Sequence, residues 1–174
     1  MELEVMERLM RVNCFSVMAM TKGVLPRMIS QKSGHIVVTS SIAGLIGPAM
    51  RTGYSASKHA VHGFLSALRG EVAHHGISVS IISPGYIRTN ISYNSVRGDG
   101  QSFGKMDVNI KKGMSVEEAG RQFVEAVFRK KPEFIISPLF YKVVAKVVRL
   151  SGRFAAFAGR VNYKQQLNAV KKAE

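Results

Sequence analysis

Apolar residues recur at helical spacing through Leu3, Met6, Leu9, Met10, Val17, Met20 and Val24, which predicts a helix over residues 3–29. A polar turn, Gln31-Lys32-Ser33-Gly34, ends it. The next segment, His35 to Thr39, is a short β-branched run of the kind that suits a buried parallel strand. A Ser/Gly/Pro-rich loop covers residues 40–53, and residues 54–74 read as a second helix stopped by Gly76. Ile77 to Ile82 predicts another strand, cut off by Ser83-Pro84-Gly85, and residues 86–114 read as loop. Ser115 and Glu118 form the pattern of a capping box, opening a helix to about Lys130. Lys131-Pro132 breaks that helix, and Glu133 to Ser137 predicts a third strand. Strands alternating with helices imply an α/β fold with a parallel sheet and right-handed crossovers.

The chain has 174 residues, 46% hydrophobic and 21% charged, which fits one domain with a sizeable core and excludes a disordered chain. One cysteine, Cys14, excludes an internal disulfide framework and reads as a core residue. The apolar runs are short for a membrane span, and no signal-peptide pattern opens the chain. The helical pattern is already under way at Met1, as in the middle of a domain.

The formal net charge of +14 changes the picture because it is uneven. From Tyr141 onward there are eight basic residues and one acid, Glu174, so half of the surplus lies in the last fifth of the chain. Ser137-Pro138 reads as a helix start with proline at the first helical position. At about 100° per residue, Lys142, Lys146, Arg149, Arg153, Arg160 and Lys164 fall within an arc of roughly 60°. Val143, Val144, Val147, Val148, Phe154 and Ala158 lie mostly opposite. Gly152 and Gly159 favour a helix-break-helix. Such a segment suits an interfacial helix on anionic lipid, with packing on its own domain as the plainer alternative. Nucleic acid is not expected, since only the total charge speaks for it. These readings divide the chain into a domain at 1–137 and a basic tail at 138–174.

The chemistry gathers where ligands bind in open parallel sheets, beyond the carboxyl ends of the strands. Tyr54 and Lys58, in YSASK, stand four apart at the start of a helix and share one face. A phenol has an unperturbed pKa of about 10, and a neighbouring ammonium favours its phenolate, as an acid/base group requires. Ser41, on the loop facing this helix, can donate to a substrate carbonyl. His59, His62, His74 and His75 lack a Cys or acidic partner at ligand spacing, so no metal site is expected.

Four elements in order carry a resemblance: Asn13 in RVNCFS, the strand-loop SGHIVVTSSIAG, YSASKHAV, and ISPGYIRTN. With Ser41 and Tyr54 thirteen apart, residues 13–90 resemble the catalytic core of the short-chain dehydrogenase/reductases. The resemblance implies the C-terminal part of a Rossmann-like, doubly wound parallel sheet and an NAD(P)(H)-dependent oxidoreductase. It implies a catalytic tetrad of Asn13, Ser41, Tyr54 and Lys58. Tyr54 would be the general acid/base, Ser41 would orient the carbonyl, and Asn13 would help hold a water of the proton relay. Lys58 would hold the ribose hydroxyls, with Pro84, Gly85, Ile87 and Thr89 lining the cofactor side.

Through SPGYIRTNIS, the Gly98-Asp99-Gly100 loop, Met106-Asp107 and the basic C-terminus, the chain resembles the family's member 7 and 7B branch. That branch implies NADP(H) rather than NAD(H), a lipid-like, steroid- or retinoid-like carbonyl substrate, and association with the endoplasmic reticulum membrane. It also implies a homodimer through helices. Tyr86, Ile91, Tyr93, Val96 and Phe103 are the apolar residues that could shape such a pocket. The family's N-terminal TGxxxGxG strand-turn-helix and its NNAG motif are not in the sequence, and Arg97-Gly98-Asp99-Gly100 follows no strand. The sequence is therefore expected to be a fragment, a truncated gene model or a short isoform, with an exposed apolar strand edge and little activity of its own. A non-catalytic product that keeps dimer or membrane surfaces is the alternative.

Overall fold

In the computed structural model, which describes residues 1–171, three parallel strands lie in chain order between two layers of helices. Strand β1 is Gly34–Thr39, β2 is Ile77–Pro84 and β3 is Glu133–Ile136. In register, Ile36 lies beside Val79 and Val38 beside Ile81, so one face of the sheet is continuously apolar. Helices α2 (Ser16–Gln31) and α3 (Thr52–Val72) cover that face, burying Val61, Leu65 and Leu68 against Ile36, Val79 and Ile81. The other face carries Ile82 and Ile136, with Val37 beside them, against α5 (Val116–Phe128), which contributes Ala119 and Ala126. Both faces of β2 are covered, the arrangement that produces near-continuous apolar runs in parallel strands.

The first predicted helix is two. Helix α1 (Leu3–Met10) passes through a π-helical turn, Arg11–Phe15, into α2. The wider turn carries Asn13 and the fully buried Cys14, and π-bulges of this kind cluster at functional sites. Helix α3 continues as a 3₁₀ turn, Ala73–His75, and Gly76 ends it at φ 69°, in the left-handed region. The expected loop at 86–114 is not wholly irregular. It contains a 3₁₀ turn at Asn90–Ser92, the short helix α4 (Val108–Lys111), and a parallel bridge between Ile87 and Met114.

The capping box before α5 is half made. Ser115 Oγ accepts from the Glu118 N–H at 3.2 Å, but the Glu118 carboxylate turns to Arg121 and Gln122. At the tail, Pro138 occupies the cap and α6 runs Leu139–Leu150, so Ser137 is not the N-cap; it is buried under Gly85. The break falls at Ser151, in extended conformation, and α7 (Gly152–Lys171) passes through Gly159 without interruption. The tail packs on the rest of the chain through an Arg149–Glu133 ion pair at 3.1 Å and Ala145, which is fully buried. Among the described residues β1 pairs with β2 alone, leaving its other edge free.

Gly76 is the backbone position with least latitude. A Cβ there would lie 2.5 Å from the Lys32 carbonyl oxygen, in addition to the cost of a positive φ. Gly76→Ala is expected to destabilise the chain by about 1–3 kcal/mol, read from urea unfolding. The same substitution at Gly63, where a Cβ meets nothing, sits in a helix and should stabilise.

Candidate active site

The first two turns of α3 lie beside the carboxyl ends of β1 and β2, and they hold Tyr54 and Lys58 on one face. The Lys58 ammonium lies 5.9 Å from the centre of the Tyr54 ring and donates to the Thr39 carbonyl, the last of β1, at 3.3 Å. Burial pushes the Lys58 pKa down. One acceptor leaves two of the three ammonium donors for a ligand.

Asn13 reaches the same helix from the π-turn. Its Nδ2 donates to Ser57 Oγ at 3.0 Å, and the Ser57 hydroxyl donates to the Tyr54 carbonyl at 2.8 Å. The sequence reading missed Ser57 as the link between Asn13 and the Tyr54 backbone. Its signal was available, because a serine inside a helix back-bonds to a carbonyl three or four residues earlier.

Ser41 follows β1 and caps the 3₁₀ turn Ile42–Gly44, its Oγ accepting from the Ala43 N–H at 3.1 Å. Accepting leaves its O–H free to donate. The turn lies directly on α3: a Cβ on Gly44 would meet the Lys58 carbonyl oxygen and His62 Cδ2, each at 2.9 Å. Only glycine permits this approach, which seats the Ser41 loop one turn from Tyr54. Ser41 is half-buried and reachable, whereas its neighbour Ser40 points inward and is 5% exposed.

The four residues expected along the cofactor side divide. Pro84 ends β2, and the Gly85 N–H donates to the Ile136 carbonyl at 2.9 Å. A Cβ on Gly85 would meet Ser137 Oγ at 2.7 Å, so a side chain there would displace the Ser137 hydroxyl. Thr89 caps the 3₁₀ turn after it and, with Arg88, Asn90, Met106 and Lys111, lines a shallow cavity of about 210 Å³. Ile87, by contrast, packs with Met114 against the Ile82–Ala119 cluster. The five apolar loop residues do not converge on one pocket. Tyr86 stands edge-on to Tyr141 with ring centres 6.2 Å apart, while Ile91, Tyr93 and Phe103 face solvent.

Beneath the loop is a buried polar group that the motifs do not announce. His62, one turn beyond Lys58, meets Ser83 Oγ through Nε2 at 3.3 Å. Its Nδ1 and the Ser40 hydroxyl are buried without a protein partner. Burial, aided by Arg149, His59 and Arg69 and opposed by Glu133, lowers the His62 pKa to about 4.

A nicotinamide cofactor fits the residues at one of its ends. The partly desolvated Lys58 ammonium with spare donors suits ribose hydroxyls. The glycine-rich turn that would hold pyrophosphate on a helix N-terminus is not among these residues.

Three parallel strands covered on both faces, with these motifs at their carboxyl ends, place the chain in the doubly wound α/β class. The family model of the short chain dehydrogenases matches residues 1–99, and the chain belongs to that family. It is 43% identical over 136 residues to the dehydrogenase/reductase SDR family protein 7-like of Drosophila melanogaster, covering 78% of this chain and 42% of that protein. With dehydrogenase/reductase SDR family member 7B of Mus musculus it shares 42% over 134 residues, 77% of this chain and 42% of the relative. The chain thus spans about two-fifths of the length of these relatives.

Among solved structures, a short chain dehydrogenase from Burkholderia cenocepacia J2315 in complex with NADP superimposes with a TM-score of 0.69 at 23% identity. The match covers 90% of this chain and 59% of that one. A gluconate 5-dehydrogenase from the same organism, in complex with NADP and tartrate, gives a TM-score of 0.51 at 27% identity over 53% of this chain and 36% of that one.

His62 makes the fold acid-sensitive. Its folded pKa of about 4 lies below the ordinary 6.5, so between these values the unfolded chain binds the extra proton. The stabilisation is complete above pH 6.5 and is lost as pH falls to 4, by at most about 3 kcal/mol. His62→Gln, which keeps a partner for Ser83 but does not titrate, should flatten urea-unfolding stability across this window. His35, lowered in the same direction by burial and by Lys130, supplies the residual slope.

Proposed function

We propose that this chain carries the proton-transfer half of an NAD(P)(H)-dependent oxidoreductase that reduces a carbonyl, or oxidises a secondary alcohol, on a lipid-like substrate. The observation that carries the reading is the placement of Tyr54 beside a partly desolvated Lys58 at the carboxyl ends of two parallel strands. A bound nicotinamide supplies the hydride. Tyr54 gives its phenolic proton to the carbonyl oxygen, and Ser41 donates a hydrogen bond to that oxygen, drawing charge onto it as it becomes an alkoxide. Lys58 favours the phenolate that remains and offers its free donors to the ribose hydroxyls. Asn13, through Ser57, holds the first turn of α3 in place.

NADP(H) is the preferred nucleotide in this reading, supported by the NADP held in the gluconate 5-dehydrogenase structure. The exposed Ile91, Tyr93 and Phe103, on the segment that follows β2, support a lipid-like substrate by offering apolar surface on that segment. Pro84, Gly85 and Thr89 border the cofactor in this reading. Ile87 contributes through its backbone, because its side chain belongs to the core.

Titration of NADPH and NADH against the purified chain tests the proposal. Saturable binding is expected, stronger for NADPH, and weakened about tenfold or more in Lys58→Ala by loss of charged hydrogen bonds. A folded chain that binds neither nucleotide overturns the reading. Where carbonyl turnover is measurable, Tyr54→Phe should lower kcat by roughly 10²–10⁴ while leaving nucleotide affinity nearly unchanged.

A further inference from the structure

Helices α6 and α7 repeat one cross-section. In α6 the docked side carries the buried Ala145, half-buried Val144 and Val148, and Tyr141 against Tyr86. Leu139, Val143, Val147 and Leu150 recur three or four residues apart and form a stripe that faces away from the domain; Leu139 is 75% exposed and Leu150 87%. Lys142, Lys146 and Arg149 run along one border of that stripe.

In α7 the docked side carries Ala155, Ala158 and Asn162, whose Oδ1 accepts from the Ala49 N–H at 3.0 Å. Phe154, Phe157 and Val161 make the outward stripe, and Phe157 is 63% exposed. Arg153, Arg160 and Lys164 border it. Between Phe134 and Ala173 there is no acidic residue.

We propose that α6 and α7 form a docking surface for a membrane leaflet bearing anionic headgroups, lying in its plane. Among the described residues no helix is long and apolar enough to cross a membrane, so the contact is interfacial. A merely solvated face does not need leucines and phenylalanines bared in rows. Nor does phosphate-backbone binding explain an apolar stripe beside each basic row. A second copy is the poorer occupant. A two-fold interface would bring the basic rows together with no acid in either segment to answer them. Lipid satisfies both features, with acyl chains meeting the stripes and headgroups meeting the borders.

Co-sedimentation of the full chain with vesicles tests this without cofactor or turnover, so its outcome is independent of the catalytic reading. Binding to phosphatidylcholine vesicles containing phosphatidylserine should exceed binding to phosphatidylcholine alone, and it should fall with salt. Each basic residue near such a surface contributes about fivefold, so K146Q/R153Q/R160Q should weaken partitioning roughly a hundredfold. L139S/L150S/F157S should lower binding to both vesicle types by more than about tenfold. All six side chains are exposed, and circular dichroism should show unchanged helicity. Equal partitioning of the wild type and the charge variant overturns the proposal. So does retention on duplex DNA, or self-association lost in the apolar variant, in a chain that does not bind vesicles.

Discussion

The six-residue parallel pairing of β1 with β2 is the constraint on which the site depends. Parallel strands cannot be joined by a hairpin, so the chain must cross from the end of β1 back to the start of β2. Here it does so through α3, whose Val61, Leu65 and Leu68 are held against Ile36, Val79 and Ile81. The crossover puts the beginning of α3, rather than its end, at the carboxyl ends of the strands. Tyr54 and Lys58 stand in those first turns. Ser41 and Gly85 leave the two strands at the same level, so chemistry separated by 44 residues of sequence meets at one edge of the sheet. A slip of one residue in this register would turn Ile36 and Val38 away from α3 and remove the platform for everything above it.

The elements that sequence made legible are those with strong local causes. β-Branched runs closed by turns marked all three strands, and Gly76 marked the end of α3, because a left-handed residue pressed against the Lys32 carbonyl admits no side chain. The YSASK spacing located Tyr54 and Lys58 on one face because helix geometry alone decides it. What sequence did not show depends on contacts between distant segments. The π-turn at Arg11–Phe15 interrupts a pattern whose apolar spacing is nearly uniform, and the Asn13–Ser57 bond spans 44 residues. Ile87 sat in a motif associated with cofactor binding, yet its bridge to Met114 commits the side chain to the core. The tail's basic arc survives, but Ser151 divides it between two helices, and Val144 and Val148 separate from Val143 and Val147 onto different faces.

That division bears on how the charge is read. A net charge of +14 on a small domain first suggests a polyanion, and the total alone cannot separate nucleic acid from membrane. Its placement adds an observation that the total lacks: the tail's cations stand beside bared leucine, valine and phenylalanine, a pairing that phosphate neutralisation alone does not call for. The same helices are tied to the domain by Arg149–Glu133 and Ala49–Asn162, so any surface that captures them orients the candidate site as well.

The buried polar groups under the Ser41 loop are the least economical feature of the fold. Ser40, His62 and Ser83 occupy positions between the sheet and α3 where apolar side chains would pack at no desolvation cost. They share one long hydrogen bond, and two of their polar atoms have no protein partner. Each nonetheless sits one residue or one turn from a member of the candidate site: Ser40 beside Ser41, His62 one turn from Lys58, and Ser83 before Pro84-Gly85. A wholly apolar wedge could slide among alternative packings, whereas the directional contact between His62 and Ser83 fixes α3 against the end of β2. Gly44 completes the seat, since any side chain there would push the loop off Lys58 and His62. The stability given up beneath the loop is in this way coupled to the position of the groups above it, which is where a fold built for chemistry is expected to depart from the most stable packing.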